Sequence, residues 1–301
     1  MANRILLILF ISASLLFFGC KEERSKDNIG VFVSILPQKY FVSKIAGDRV
    51  KVEVLVLPGK NPATYEPSPR QTISLAKAKV LFTVGVPFEK AFLPKIENTL
   101  KSLKIIDTSV GIKKRTLEAD VHNDEESLEE NGEEHNHIAQ IRDPHIWMSP
   151  SLVKIQAKNI YDALIDIDPD GKSEYEKGYL ALIKEIENLI IELRETLKPF
   201  WGSPLFVFHP AFGYFADEFG LKQIAFETGG KEPTPAKLTE IIESAKKEGA
   251  KIIFVQPEFS QESAKKIAKA INGSVVSLNP LEPNYIDNLK LISLEIEKSY
   301  R

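Results

Sequence analysis

The hydrophobic positions of this chain alternate between short apolar runs and longer segments in which apolar residues recur every three or four positions. The short runs, rich in β-branched residues, predict buried strands, and the periodic segments predict helices that pack on them. The strands are predicted over 31–37, 50–57, 80–84, 104–107, 205–208, 221–226, 251–255 and 274–278. The helices are predicted over 38–46, 70–79, 87–100, 151–167, 173–197, 210–219, 235–247, 261–270 and 285–300. This regular alternation indicates an α/β fold with parallel sheets.

The segment 173–197 is the longest periodic stretch, and an unbroken helix of its length spans on the order of 35 Å. Its apolar residues share one helical face: Tyr175, Tyr179, Leu182, Ile186, Leu189, Leu193 and Leu197. A coiled-coil partner is a weaker interpretation, because the apolar seam is short and impure. We therefore predict an N-terminal α/β lobe over 29–171, a rigid linking helix over 172–198 and a C-terminal α/β lobe over 199–301.

Composition supports two lobes and excludes one class of partner. The 301 residues are 43% hydrophobic and 27% charged, which is enough for two ordinary cores. A net charge of −3 and a pI near 6.1 provide no basic field for nucleic-acid binding.

The N-terminus has the pattern of an export signal. Arg4 precedes an apolar run over 5–18, and the only cysteine, Cys20, follows this run. The stretch resembles a bacterial lipoprotein signal, which implies cleavage of residues 1–20 and a lipid on Cys20 that holds the protein on a membrane. Residues 21–28 are then a polar tether. A plain signal or anchor with an incidental cysteine is the alternative.

An acidic segment interrupts the N-terminal lobe. Nine of the residues 118–134 are Asp or Glu, and none is Lys or Arg, so we predict a solvated loop over 118–142. His122, His135 and His137 lie in or just after this segment and form a tract that can capture metal loosely. Incidental histidines in a charged surface loop are the alternative interpretation.

Two other histidines, His145 and His209, each lie among prolines and aromatic residues. We interpret them as ligands of a divalent transition metal, contributed by different lobes to a shared cleft. Packing of single histidines in the core is the alternative. Zinc sites use about four nitrogen, sulfur or oxygen donors. Glu227 and Glu258 follow predicted strands, where ligands collect in parallel sheets, and are further candidate donors.

The common enzyme motifs are missing from the sequence, which contains no His-Glu-x-x-His helix, nucleophile elbow or glycine-rich phosphate loop. A metallohydrolase assembled from His145, His209 and scattered carboxylates stays open. Binding without catalysis is the simpler interpretation, so we expect no enzyme activity.

Several motifs together resemble the cluster A-I solute-binding proteins, the zinc and manganese receptors of ABC uptake transporters. They are Pro62-Ala63-Thr64-Tyr65-Glu66-Pro67, the acidic loop, Asp143-Pro144-His145-Ile146-Trp147 and His209-Pro210-Ala211-Phe212-Gly213-Tyr214. The resemblance implies an exported, often lipid-anchored receptor with two lobes and a linking helix. It also implies one metal ion in the cleft, zinc ahead of manganese, and delivery to an ABC permease. We expect a monomer.

The resemblance carries over only part of the family's ligand set. His145 and His209 match its second and third histidines, whereas Ala63 occupies the place of the first and Asn279 that of a frequent aspartate. The methyl group removes a donor, and the amide keeps an oxygen but loses the charge. We hypothesise that Glu227, Glu258, Glu66 or a loop histidine completes the coordination. A receptor of this fold that has lost its metal, carrying another solute or acting as an adhesin, is the alternative.

Overall fold

The computed structural model describes residues 28–117, 142–227 and 235–301, and within these ranges the chain forms two four-stranded sheets. The strands are β1 (Ile29–Val33), β2 (Val50–Val54), β3 (Val80–Thr83), β4 (Lys104–Asp107), β5 (Pro204–Val207), β6 (Lys222–Ala225), β7 (Ile252–Val255) and β8 (Ser274–Ser277). The helices are α1 (Leu36–Ala46), α2 (Pro69–Leu75), α3 (Pro87–Glu97), α4 (Pro150–Ile167), α5 (Lys172–Leu197), α6 (Gly213–Phe219), α7 (Pro235–Lys247), α8 (Gln261–Ala270) and α9 (Tyr285–Tyr300). The predicted α/β class with two parallel sheets is confirmed.

Both sheets are parallel and have the same pattern of strand order, β2-β1-β3-β4 in the first and β6-β5-β7-β8 in the second. In this order the winding direction reverses between β1 and β3, and again between β5 and β7. Open α/β sheets form a crevice at the carboxyl ends of such a strand pair. The loops that follow β5 and β7 therefore lie side by side, and they contain His209 and Glu258.

Three predicted helices are shorter in the structure, and one of them, predicted over 87–100, ends at Glu97. The helix predicted over 70–79 ends at Leu75, since Lys79 donates its N–H to the Gly30 carbonyl in the sheet. The helix predicted over 210–219 begins at Gly213, and the Phe212 N–H just before it donates to the side-chain oxygen of Gln223 at 2.7 Å.

The linking helix α5 has 26 residues, which gives a length of about 39 Å. At its N-terminal end, Arg49 of the first lobe forms ion pairs with Asp168 and with Glu174. One turn further, Gly178 lies so close to α1 that an added Cβ would be 2.3 Å from a carbonyl oxygen of that helix. Toward its other end, Glu192 pairs with Lys290 of α9 in the second lobe. The helix is thus fixed to both lobes.

One apolar cluster runs through both lobes, from Val31 in the first sheet to Leu205 and Val207 in the second. Side chains alternate along β5, so Phe206 and Phe208 face the opposite side and belong to a second, smaller cluster. Of the helices in the described ranges, none combines the length and the apolar composition needed to cross a membrane.

Candidate metal site

His145 and His209 come from different lobes and face each other at the seam between them. His145 precedes a single 3₁₀ turn, Ile146–Met148, that leads into α4, and His209 follows β5 at the carboxyl edge of the second sheet. Their side chains are 12% and 16% exposed, so both rings are largely shielded but reachable from solvent. The structure therefore brings together the two histidines that the sequence singled out.

The His145 ring is fixed by Asp143, two residues earlier in the chain. The Asp143 carboxylate accepts a hydrogen bond from the His145 backbone N–H at 2.9 Å and lies 2.8 Å from Nδ1 of its ring. Asp143 is 1% exposed, so the interaction is shielded from water. A carboxylate at Nδ1 keeps the proton on that nitrogen and leaves the Nε2 lone pair for a ligand.

The His209 ring has the same arrangement with a different carboxylate. Oε2 of the buried Glu227 lies 2.6 Å from Nδ1, and Phe259 stacks on the ring at 4.5 Å between centroids. The amide of Gln256 donates to the His209 carbonyl at 2.9 Å and fixes the backbone. Burial lowers the pKa of His209, partly offset by the hydrogen bond with Glu227, so the ring favours its neutral, metal-binding form.

The two Nε2 atoms lie 3.4 Å apart. Two nitrogens bound to one tetrahedral zinc ion at about 2.0–2.1 Å are separated by about 3.3 Å. The spacing therefore matches two positions of a zinc coordination sphere. The donor set fits a small transition-metal cation.

Apart from Glu227, which lies at Nδ1 of His209, the predicted donors in the described ranges do not form a metal-binding group with this pair. Within the described ranges, no group of three or more His, Cys, Asp and Glu side chains is arranged to hold a metal ion. Ala63 and Glu66 are exposed in the loop after β2. The Asn279 side-chain oxygen accepts the Leu281 N–H at 2.9 Å, and its amide group donates to Glu282.

Of the predicted donors other than Glu227, Glu258 is the one whose carboxyl group is affected by a histidine of the pair. It is partly buried in the loop after β7, next to Phe259. Burial raises the pKa of its carboxyl group, and a backbone hydrogen bond and His145 partly offset this rise. Cys20 and the loop histidines His122, His135 and His137 lie outside the described residues, and their roles stay predictions.

Sequence reasoning missed the residues that hold the histidines in place. Asp143 belongs to the motif Asp143-Pro144-His145-Ile146-Trp147, and its spacing of two residues from His145 is the signal that could have identified it. Gln256 and Glu227 lie 47 and 18 residues from His209, so only the fold reveals their contacts with it.

Comparison with known proteins decides the family. The family model described as ZnuA, "Zinc-uptake complex component A periplasmic", matches residues 31–298. The chain belongs to this family. The resemblance inferred from the sequence is confirmed.

Relatives of this ZnuA-family chain agree with that assignment. It is 30% identical over 287 residues to the high-affinity zinc uptake system protein ZnuA of Bacillus subtilis (strain 168), covering 91% of this chain and 88% of that protein. It is 29% identical over 283 residues to the zinc-binding lipoprotein AdcA of Streptococcus pneumoniae (strain ATCC BAA-255 / R6). That match covers 93% of this chain but 56% of AdcA, so the chain spans about half of that relative.

Solved structures of ZnuA have the same fold as this ZnuA-family chain. A ZnuA crystal structure matches with a TM-score of 0.82 at 35% identity, covering 91% of this chain and 100% of the other. A ZnuA deletion mutant with zinc bound matches with a TM-score of 0.80 at 35% identity, over 91% and 98% of the two chains. The prediction of two lobes joined by a long helix is confirmed by this likeness.

Proposed function

We propose that this protein binds zinc outside the cytoplasm and delivers it to an ABC permease. The observation that carries the proposal is the pair of Nε2 atoms of His145 and His209, 3.4 Å apart, with each ring held at Nδ1 by a buried carboxylate. Two imidazole nitrogens favour zinc over manganese, which prefers oxygen donors. The zinc-uptake role for which the family and its Bacillus subtilis relative are named supports the same cargo.

Within this proposal the candidate residues have different tasks. His145 and His209 bind the ion, and Asp143 and Glu227 orient their rings from the opposite nitrogen. Glu258 supplies a third donor, because it follows β7 next to Phe259, which stacks on the His209 ring, and a carboxylate matches the charge of the cation. Asn279 shapes its loop, since its amide is already engaged with neighbouring groups.

Calorimetric titration of the purified protein with zinc tests this donor set. His145→Ala and His209→Ala each remove a ligand, so we expect zinc affinity to fall by more than the tenfold to hundredfold typical of outer-shell changes. Glu258→Gln should lower the affinity about tenfold. Glu262→Gln, on the exposed face of α8, is the matched control and should bind as the wild type does. Unchanged affinity in both alanine variants would contradict the proposal.

We also propose that the mature protein is a monomer anchored by a lipid on Cys20 and acts as a receptor without catalysing a reaction. The lipoprotein-like sequence before Cys20 supports the anchor, as does the description of AdcA as a lipoprotein. A tether of a few polar residues would keep the lobes near the membrane where a permease is located.

A further inference from the structure

Helix α6 connects the His209 segment to the His145 segment across the lobe seam. It begins four residues after His209, and its residues Tyr214 and Glu218 are one turn apart on the same helical face. Both side chains cross into the first lobe and contact the stretch of chain that contains His145.

Tyr214 holds the start of that stretch. Its buried hydroxyl donates to the Asp143 carbonyl oxygen at 3.0 Å and accepts the Arg115 backbone N–H at 3.0 Å. Burial raises the pKa of Tyr214 to about 12, so the hydroxyl keeps the proton that it donates. The residue held in this way, Asp143, is the one whose carboxylate orients the His145 ring.

Glu218 holds the end of the same stretch. Its carboxylate accepts hydrogen bonds from the Ser149 hydroxyl, from the Ser151 hydroxyl at 2.5 Å and from the Ser151 backbone N–H at 3.2 Å. Ser149 is the N-cap of α4, so a negative charge from the second lobe lies at the positive end of a helix in the first. The segment 143–151 is therefore fixed at both ends by one short helix.

We propose that Tyr214 and Glu218 are positioning residues that set the separation of His145 and His209 before zinc arrives. This inference rests on the proposed function. The helix that carries both residues follows His209 directly, so the two histidines share one rigid frame. A pair already at the spacing of zinc ligands loses less conformational freedom when the ion binds, and its affinity is correspondingly higher.

The variant Tyr214→Phe tests the inference because it removes only the hydroxyl. Tyr300→Phe is a matched control, since Tyr300 also donates to a backbone carbonyl, that of Pro204 at 2.7 Å, but entirely within the second lobe. Tyr214→Phe loses the hydrogen bonds with Asp143 and Arg115, and Tyr300→Phe loses the one with Pro204, so thermal stability of the zinc-free protein should fall in both variants and somewhat more in Tyr214→Phe. Zinc affinity, measured by competition with a chelator, should fall about tenfold in Tyr214→Phe and stay unchanged in Tyr300→Phe.

The visible absorption spectrum of the cobalt(II)-substituted protein reports the geometry of the metal site, and a loss of stability alone does not change it. We expect it to change in Tyr214→Phe, because the geometry of the two nitrogens is loosened, and to match the wild type in Tyr300→Phe. Glu218→Gln, with the exposed Glu192→Gln as control, provides a second variant should the first fail to fold. Wild-type affinity and cobalt spectrum in both seam variants would overturn the inference while leaving the proposed function intact. A wild-type protein that binds no zinc would instead overturn the proposed function.

Discussion

At the scale of residues, His145 and His209 each have a carboxylate at Nδ1, and the opposite ring nitrogen, Nε2, is left to bind a metal ion. Asp143 and Glu227 occupy Nδ1 of His145 and His209, and both carboxylates are almost completely buried. A carboxylate at this distance does two things, because it fixes the ring orientation and increases the basicity of the nitrogen opposite. The site is therefore defined by four residues, although only two of them face the ion.

The lowered pKa of His209 predicts how the zinc-free protein responds to acid. An unfolded histidine has a pKa of about 6.5, and the folded value is lower, so the unfolded state binds more protons between the two values. Folding stability should therefore fall as the pH decreases below about 6.5 and level off below the folded pKa. Urea unfolding at a series of pH values checks this prediction.

The variant His209→Asn is the control for this pH series. Asparagine retains an N–H that can donate to Glu227 but has no titrating ring, so its stability profile should be flatter over the same range. A variant profile as steep as that of the wild type would assign the acid sensitivity to other groups.

The sequence predicted the two facing histidines but not the function of the acidic side chains near them. His145 and His209 could be recognised because proline and aromatic neighbours surround each in a short motif. The sequence predicts Glu227 at the end of a strand. Whether its carboxylate binds a metal ion or contacts Nδ1 of a histidine depends on a displacement of about 2 Å in the folded protein, which sequence spacing cannot show. Asn279 is matched to the family's aspartate by its position in the sequence alone. Its hydrogen bonds with Leu281 and Glu282 become apparent only in the folded loop.

At the scale of elements, nearly every predicted strand and helix is present, because hydrophobic periodicity determines where a segment can pack. The misplaced boundaries are those set by distant contacts. Residues 210–212 precede the helix, and the Phe212 N–H binds Gln223, a partner eleven residues away that no local pattern indicates.

Because α5 crosses α1 closely at Gly178, adding one methyl group there should change the free energy of unfolding. Replacing glycine by alanine inside a helix usually stabilises it by about 0.5–1 kcal/mol. In Gly178→Ala the new Cβ would approach carbonyl oxygens of α1 to 2.3 Å and 2.6 Å, so α5 must shift. We expect the free energy of unfolding to fall by about 1–3 kcal/mol, as measured by urea denaturation. The exposed neighbour Lys177→Ala should stay within about 0.5 kcal/mol of the wild type, and a stabilised Gly178→Ala would disprove the tight contact.

At the scale of the whole molecule, the two lobes share one apolar cluster and are joined by polar contacts across the seam. The indole N–H of Trp147 in the first lobe donates to the Pro280 carbonyl of the second at 2.9 Å. The shared cluster couples the first lobe to one face of the second sheet, whereas the smaller cluster on the other face lies within the second lobe.

This shared core predicts that the protein unfolds in a single transition. The fluorescence of Trp147, buried at the seam, should change at the same temperature as the far-ultraviolet circular dichroism of both lobes. Calorimetry should show one heat-absorption peak. Two separated peaks, or a fluorescence change well before the loss of helix, would show that the lobes unfold independently.

The repeated strand order has a consequence for the number of ions that one chain can carry. Each sheet forms a crevice of the same kind, beside β1 and β3 in one lobe and beside β5 and β7 in the other. In the first lobe, the buried Gln38 occupies this position, accepting from the Ser34 N–H at 3.1 Å and donating to the Thr83 carbonyl at 3.0 Å. The Gln38 amide is therefore engaged within the first lobe, whereas in the second lobe Nε2 of His209 faces Nε2 of His145 across the seam. The strand orders are equivalent but the chemistry is not: among the described residues, a histidine follows the strands of the second crevice and none follows those of the first, so we expect one zinc ion at the seam of each chain.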